Sequence, residues 1–71
     1  MKKANLKKLG KNIKYARKAN NLSQEELAEM LKLSRNYIGM IERAEVNAPV
    51  ATLFDIAKAL KVNVKSFFDF D

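Results

Sequence analysis

The sequence predicts a compact all-α bundle of five helices, and three observations support it. Apolar residues recur at steps of three and four over most of the chain, which is the helical period. Ser23 stands three residues before Glu26, the S-x-x-E spacing of a capping box, so a helix starts there. Alternating apolar and polar runs, the mark of strands, are too short to specify a sheet.

Met1 to Asn5 reads as a basic arm. The first helix is predicted over Asn5 to Ala19, because Leu6, Leu9, Ile13 and Ala16 form one apolar stripe between lysines. Asn20-Asn21 ends it, since Asn tolerates the left-handed conformation used at helix ends. The second helix runs from Gln24 to Leu31, with Glu25 and Glu26 in the first turn, where the helix dipole favours acids. Leu31 to Leu33 then breaks the apolar spacing, and Ser34 offers a fresh N-cap. The pattern from Ser23 to Glu42 is therefore helix, turn, helix. Ala28 is small where the two helices must cross.

The third helix covers Arg35 to Arg43, with Ile38 and Ile41 inward and Arg35, Asn36, Tyr37, Gly39 and Met40 on its other faces. Gly39 weakens it by up to ~1 kcal/mol relative to Ala, so close approach of something at Gly39 is one reading and simple tolerance the other. After a loop, Pro49 suits the first turn of a fourth helix over Val50 to Leu60. Its inward residues are Leu53, Ile56, Ala57 and Leu60. A short fifth helix, Lys65 to Phe68, follows Val62-Asn63-Val64, with Asn63 or Val64 near its cap.

Seventy-one residues make one small domain, with a core that self-association would help. Cysteine and histidine are both missing, which removes disulfides, Cys–His and Ser–His catalysis and His-ligated metals. No enzyme chemistry and no cofactor are expected. No apolar run approaches the ~18 residues of a membrane span. The basic start lacks the apolar region of a signal peptide. A soluble, cytoplasmic protein is the expectation. The net charge is +6, and every charged residue among the first twenty is basic. That distribution fits a solvated helix face or a surface for a polyanion, whether nucleic acid or an anionic membrane.

LSQEELAEML, SRNYIGMIER and LFDIAKALKVNVKSFF, taken together, resemble the helix-turn-helix domain of Cro and lambda-type repressors, the Xre-like regulators. The resemblance extends from about Leu9 to Phe68. A closer likeness, in RNYI, IER and the following Asn, is to small restriction–modification controller proteins. It implies a lambda-repressor-like fold that binds duplex DNA, with the third helix in the major groove. Side chains matching Arg35, Asn36 and Met40 commonly reach bases there. Arg can bond a guanine edge bidentately, Asn can do the same to adenine, and Tyr37 can donate to a base or a phosphate. Met40 departs from the polar residue often found at its position and can meet a thymine methyl or simply pack. The Gln matching Gln24 binds phosphate and braces the third helix; otherwise Gln24 is an ordinary first-turn residue. Ser34, Arg43 and Asn47 are further phosphate candidates, and Lys11 and Lys14 flank the backbone. The resemblance also pairs Arg17 with Glu42 as a structural fork. It expects Gly where Lys32 and Ala44 stand, so a left-handed backbone at a modest cost is predicted at Lys32. At Ala44 it predicts a shifted helix end or strain.

Three C-terminal phenylalanines exceed what so small a core needs. Phe67 or Phe68 packs against the first helix in the plainer reading. Alternatively Phe67, Phe68 and Phe70, with Val62, Val64 and Phe54, form a dimer contact, making residues 62–71 a dimerisation region. A homodimer would set two recognition helices about 34 Å apart on an inverted repeat. RNA polymerase is a further candidate partner, occluded in repression or touched in activation. The competing class is a protein-interaction module or antitoxin on the same fold, suggested by the lack of polarity at Gly39 and Met40.

Overall fold

The computed structural model describes residues 2–70. Four α-helices, α1 (Lys3–Ala19), α2 (Gln24–Leu31), α3 (Arg35–Glu42) and α4 (Val50–Ala59), are followed by a 3-10 helix, Val64–Phe68. The chain is thus all-helical, with four α-helices where five were expected. The last segment closes on i→i+3 hydrogen bonds, from Ser66 N–H to the Asn63 carbonyl (2.9 Å) and from Asp69 N–H to that of Ser66 (3.3 Å). A segment of five residues has too few turns to gain from α geometry, and the tighter winding is common in such short pieces.

The expected basic arm is also shorter than predicted. Leu6 N–H already bonds the Lys2 carbonyl (2.9 Å), and the Lys3 ammonium reaches the Ala44 carbonyl (2.9 Å), tying the first turn of α1 to the loop after α3. Only Lys2 of the arm stands outside the helix; Met1, like Asp71 of the predicted dimerisation region, lies outside the described residues.

Both expected caps around the central pair are made. Ser23 Oγ accepts from Glu26 N–H (3.0 Å), while the Glu26 carboxylate accepts from Ser23 N–H (2.8 Å). Those bonds, the backbone one first, hold the Glu26 carboxyl below its ordinary pKa. Ser34 Oγ accepts from Tyr37 N–H (3.0 Å).

The helix ends share a costly device. Asn21, Lys32, Ala44 and Lys61 all have φ near +60°. Each conformation disfavours a Cβ by roughly 1 kcal/mol, yet each closes a helix with crossed hydrogen bonds to orphan carbonyls. At α3 these run from Ala44 N–H to the Ile41 carbonyl and from Glu45 N–H to that of Met40. The α3 end is therefore the strained alternative at Ala44, with Arg43 as the cap. Asn20 adds a tertiary clasp: its amide donates to the carbonyls of Ala16 and Leu60, joining the ends of α1 and α4.

One core holds the elements together. Leu9 and Ile13 of α1, Leu27 of α2, Ile38 and Ile41 of α3, Leu53 and Ile56 of α4, Leu60 and Phe67 are all buried. Phe67 is 1% exposed, so it is a core residue, which corrects its assignment to a dimer contact. Val62, Val64 and Phe70 are half-buried against the same core, and Phe68 is 40% exposed. The reason is the three-residue turn: Val64 and Phe67 fall on one side of the 3-10 helix, Phe68 on another.

Gly10 sets how closely α1 and α3 approach. A Cβ there would stand 2.6 Å from the Glu42 carbonyl oxygen and 2.7 Å from that of Ile41. Both obstacles are backbone. Gly10→Ala would gain up to ~1 kcal/mol of helix propensity, but separating the helices costs about 1–3 kcal/mol. The expected result is a net loss of stability in urea unfolding; a raised midpoint would mean the close contact contributes nothing.

Candidate nucleic-acid interface

The packing that buries Ile38 and Ile41 turns the opposite faces of α3 outward. Arg35 and Asn36, in its first turn, are exposed, and Arg35 makes no ion pair among the described residues. Among the described residues Asn36 has only a long contact from its amide to Met40 Sδ (3.5 Å). Met40 and Tyr37 are half-buried, and Tyr37 packs against the core, so part of its ring supports the fold. Ser34 is exposed as the helix cap.

A network beneath α3 fixes this presentation. Arg17 Nε donates to Glu42 Oε2 (2.7 Å) and Nη2 to Oε1 (3.1 Å), a bidentate fork from α1 to the last turn of α3. Arg17 Nη1 donates to the Leu22 carbonyl (2.7 Å). Gln24 Nε2 donates to Glu42 Oε1 (3.1 Å) from the start of α2. One buried carboxylate therefore orients three helices. The Gln24 amide keeps a second N–H and its carbonyl oxygen for other partners.

Gln24, Arg35, Asn36, Gly39 and Arg43 line one polar depression. A second one beside it adds Arg17, Ser23 and Glu25 to Gln24 and Arg35. The first gathers four of the expected DNA-contacting residues, all with N–H donors, two of them in the N-terminal turn of α3. Lys11 and Lys14 on α1, and Asn47 in the loop after α3, are exposed but line neither depression.

Two features depend on the folded structure, and the first decides for close approach at Gly39 over simple tolerance. Gly39 is buried, because the Arg43 guanidinium folds back over it. Glu45 accepts from Arg43 Nε (2.9 Å) and Nη2 (3.4 Å). The hydrogen bond and charge of Glu45 raise the Arg43 pKa, and the same hydrogen bond lowers that of Glu45. A glycine inside a helix and an Arg two residues before a Glu were the available signals.

Among the described residues no helix is long and apolar enough to cross a membrane. A family model described as helix-turn-helix matches residues 13–67. The control protein C.SmaI of Serratia marcescens is 50% identical over 56 residues, covering 79% of this chain and 67% of that one. The immunity repressor of Bacillus phage phi105 is 41% identical over 58 residues, covering 82% of this chain but only 40% of the repressor. The crystal structure of the restriction–modification controller protein C.AhdI from Aeromonas hydrophila superposes with a TM-score of 0.88 at 35% identity, covering 93% of this chain and 96% of that one.

Proposed function

The chain belongs to the helix-turn-helix family, and from that membership we propose that it is a transcriptional regulator that binds double-stranded DNA sequence-specifically as a homodimer. The observation that carries this reading is the two-sidedness of α3. Ile38 and Ile41 are buried, while Arg35 and Asn36 stand exposed at the helix start over a donor-lined depression. The major groove admits one such helix, and its base edges suit those two side chains. Met40 lies one turn beyond Asn36, and the exposed part of Tyr37 adds a hydroxyl for a base or phosphate.

Phosphates would be held by the Gln24 amide and the N-terminus of α2, by Ser34, and by Asn47, Lys11 and Lys14. The +6 charge raises the encounter rate with DNA and makes binding salt-sensitive. Pairing would use the apolar surface that the core leaves uncovered near the C-terminus. Phe68 on the 3-10 helix is exposed there, and Val50 and Phe54 are exposed apolar side chains of α4. A two-fold dimer would read an inverted repeat, and linking two weak half-site contacts raises affinity without new chemistry. Such a regulator would work in the cytoplasm, by occluding RNA polymerase or touching it. Likeness to C.SmaI and C.AhdI supports control of a restriction–modification system, including the protein's own gene.

The protein-interaction alternative rests on the lack of polarity at Gly39 and Met40. Because Arg43 covers Gly39, that part of the surface presents a guanidinium, which favours a DNA partner. Arg35→Ala is the test. It should weaken binding to a selected operator by about 1–3 kcal/mol and relax preference at one base pair in each half-site. Unchanged affinity and preference, or no salt-sensitive duplex binding by the unaltered protein, would count decisively against the reading.

A further inference from the structure

The geometry points to Arg43 as a second base-reading residue, aimed by Glu45 and seated on Gly39; this rests on the DNA-binding reading above. An ordinary phosphate contact is a free cation on a long side chain. Arg43 differs in two respects. Its charge is balanced by Glu45, whose carboxylate accepts from Nε and Nη2 at 2.9 and 3.4 Å. Its guanidinium lies over the helix backbone, with Nη1 in the space a Gly39 Cβ would crowd, 2.7 Å from where that atom would stand.

Balancing the charge weakens attraction to phosphate, which depends on net charge. It leaves the directed donors intact. With Nε engaged by Glu45, the Nη1 and remaining Nη2 hydrogens form the end-on fork that matches guanine O6 and N7. The carboxylate also holds the guanidinium plane, so less rotamer freedom is lost on contact. The backbone supplies the alignment. The left-handed turn at Ala44 brings Glu45 N–H back to the Met40 carbonyl (2.8 Å), returning Glu45 to the end of α3.

Seating on Gly39 also sets where the guanidinium acts. Gly39 is one turn after Arg35, and both line the depression that Arg43 and Asn36 share. Four residues of helix advance about 6 Å. At 3.4 Å per step along a strand, this is roughly two base pairs. Arg43 would therefore specify a guanine about two base pairs from the one read by Arg35. An alanine at Gly39 would push the guanidinium away without removing it.

The test selects duplexes from a random pool with the unaltered protein and with Arg35→Ala, Arg43→Ala, Arg43→Lys, Glu45→Gln and Gly39→Ala. Circular dichroism verifies that each is folded, and the salt dependence of binding is measured on the best duplex. Arg43→Ala, Arg43→Lys and Gly39→Ala should each lose the same guanine preference by roughly tenfold. Glu45→Gln should weaken that preference while strengthening binding to all duplexes at low salt. Arg35→Ala should affect a different position. The inference is overturned if Arg43→Ala weakens all duplexes equally, lowers the salt slope by about one phosphate contact and leaves base preferences unchanged. Retention of the preference in Arg43→Lys, or an Arg43 position that Gly39→Ala and Glu45→Gln do not touch, also overturns it. If the unaltered protein selects no sequence, the DNA-binding reading falls with it; if Arg35→Ala alone shifts preference, only the role of Arg43 falls.

Discussion

Glu42→Ala should destabilise the fold by about 3 kcal/mol or more, because it leaves a buried guanidinium without its counter-charge. The Glu42 side chain is 1% exposed and receives hydrogen bonds from Arg17 Nε, Arg17 Nη2 and Gln24 Nε2. Arg17 would then lack a carboxylate partner among these contacts. The Leu22 carbonyl would be its one remaining partner among these contacts. A chain of this size has roughly 4–10 kcal/mol of stability to lose, so the variant should be partly unfolded near its working temperature. Equilibrium urea unfolding measures the loss. A ΔΔG within about 0.5 kcal/mol of zero would show that the pair is far better solvated than its burial indicates.

A double replacement separates stability from presentation. Replacing Arg17 and Glu42 together by apolar residues of similar volume should recover much of the stability, as buried ion pairs often do. It should not recover DNA binding fully, because Gln24 would still have lost the carboxylate that fixes its amide at the edge of the depression. The ion pair is on this account an orienting device more than a source of net stability.

Phe67→Ala should cost about 3–5 kcal/mol, the usual range for removing a fully buried aromatic. Phe67 anchors the 3-10 helix, and its carbonyl accepts from the Asn12 amide of α1 (3.0 Å), so backbone and side chain both join the chain end to α1. Phe68→Ala, one residue on, should change monomer stability by less than about 0.5 kcal/mol. In the proposed homodimer its effect should appear instead in the concentration dependence of assembly. Equal losses from the two substitutions would contradict the inward and outward assignments made here.

These two aromatics mark where sequence reasoning stops. The starts of α2 and α3 were readable because their signals are local: Ser23 with Glu26, and Ser34 with Tyr37 N–H, close within three residues, whereas α1, which has no side-chain cap, begins two residues before the predicted Asn5. The inward faces of α1 and α4 were readable from their 3.6-residue period. In the last segment, Phe67 and Phe68 differ only by a rotation of about one third of a turn, and five residues hold too little pattern to determine it. Gly39 was ambiguous for a different reason. Whether a glycine marks close approach or mere tolerance depends on what lies over it, and that is Arg43, held by Glu45 on the far side of a left-handed turn.

By itself the sequence determined the four α-helices to within a few residues, the break at Lys32-Leu33, the exposed start of α3 and the surplus of positive charge, because periodicity, capping and charge act over a few residues. Only tertiary structure decided which phenylalanine enters the core, how nearly α3 rests on Gly10, and that Arg43 lies folded over Gly39 instead of extending freely. Each of those outcomes depends on atoms brought together from separate elements or across a turn, where shape and excluded volume choose between arrangements that local propensity leaves equal.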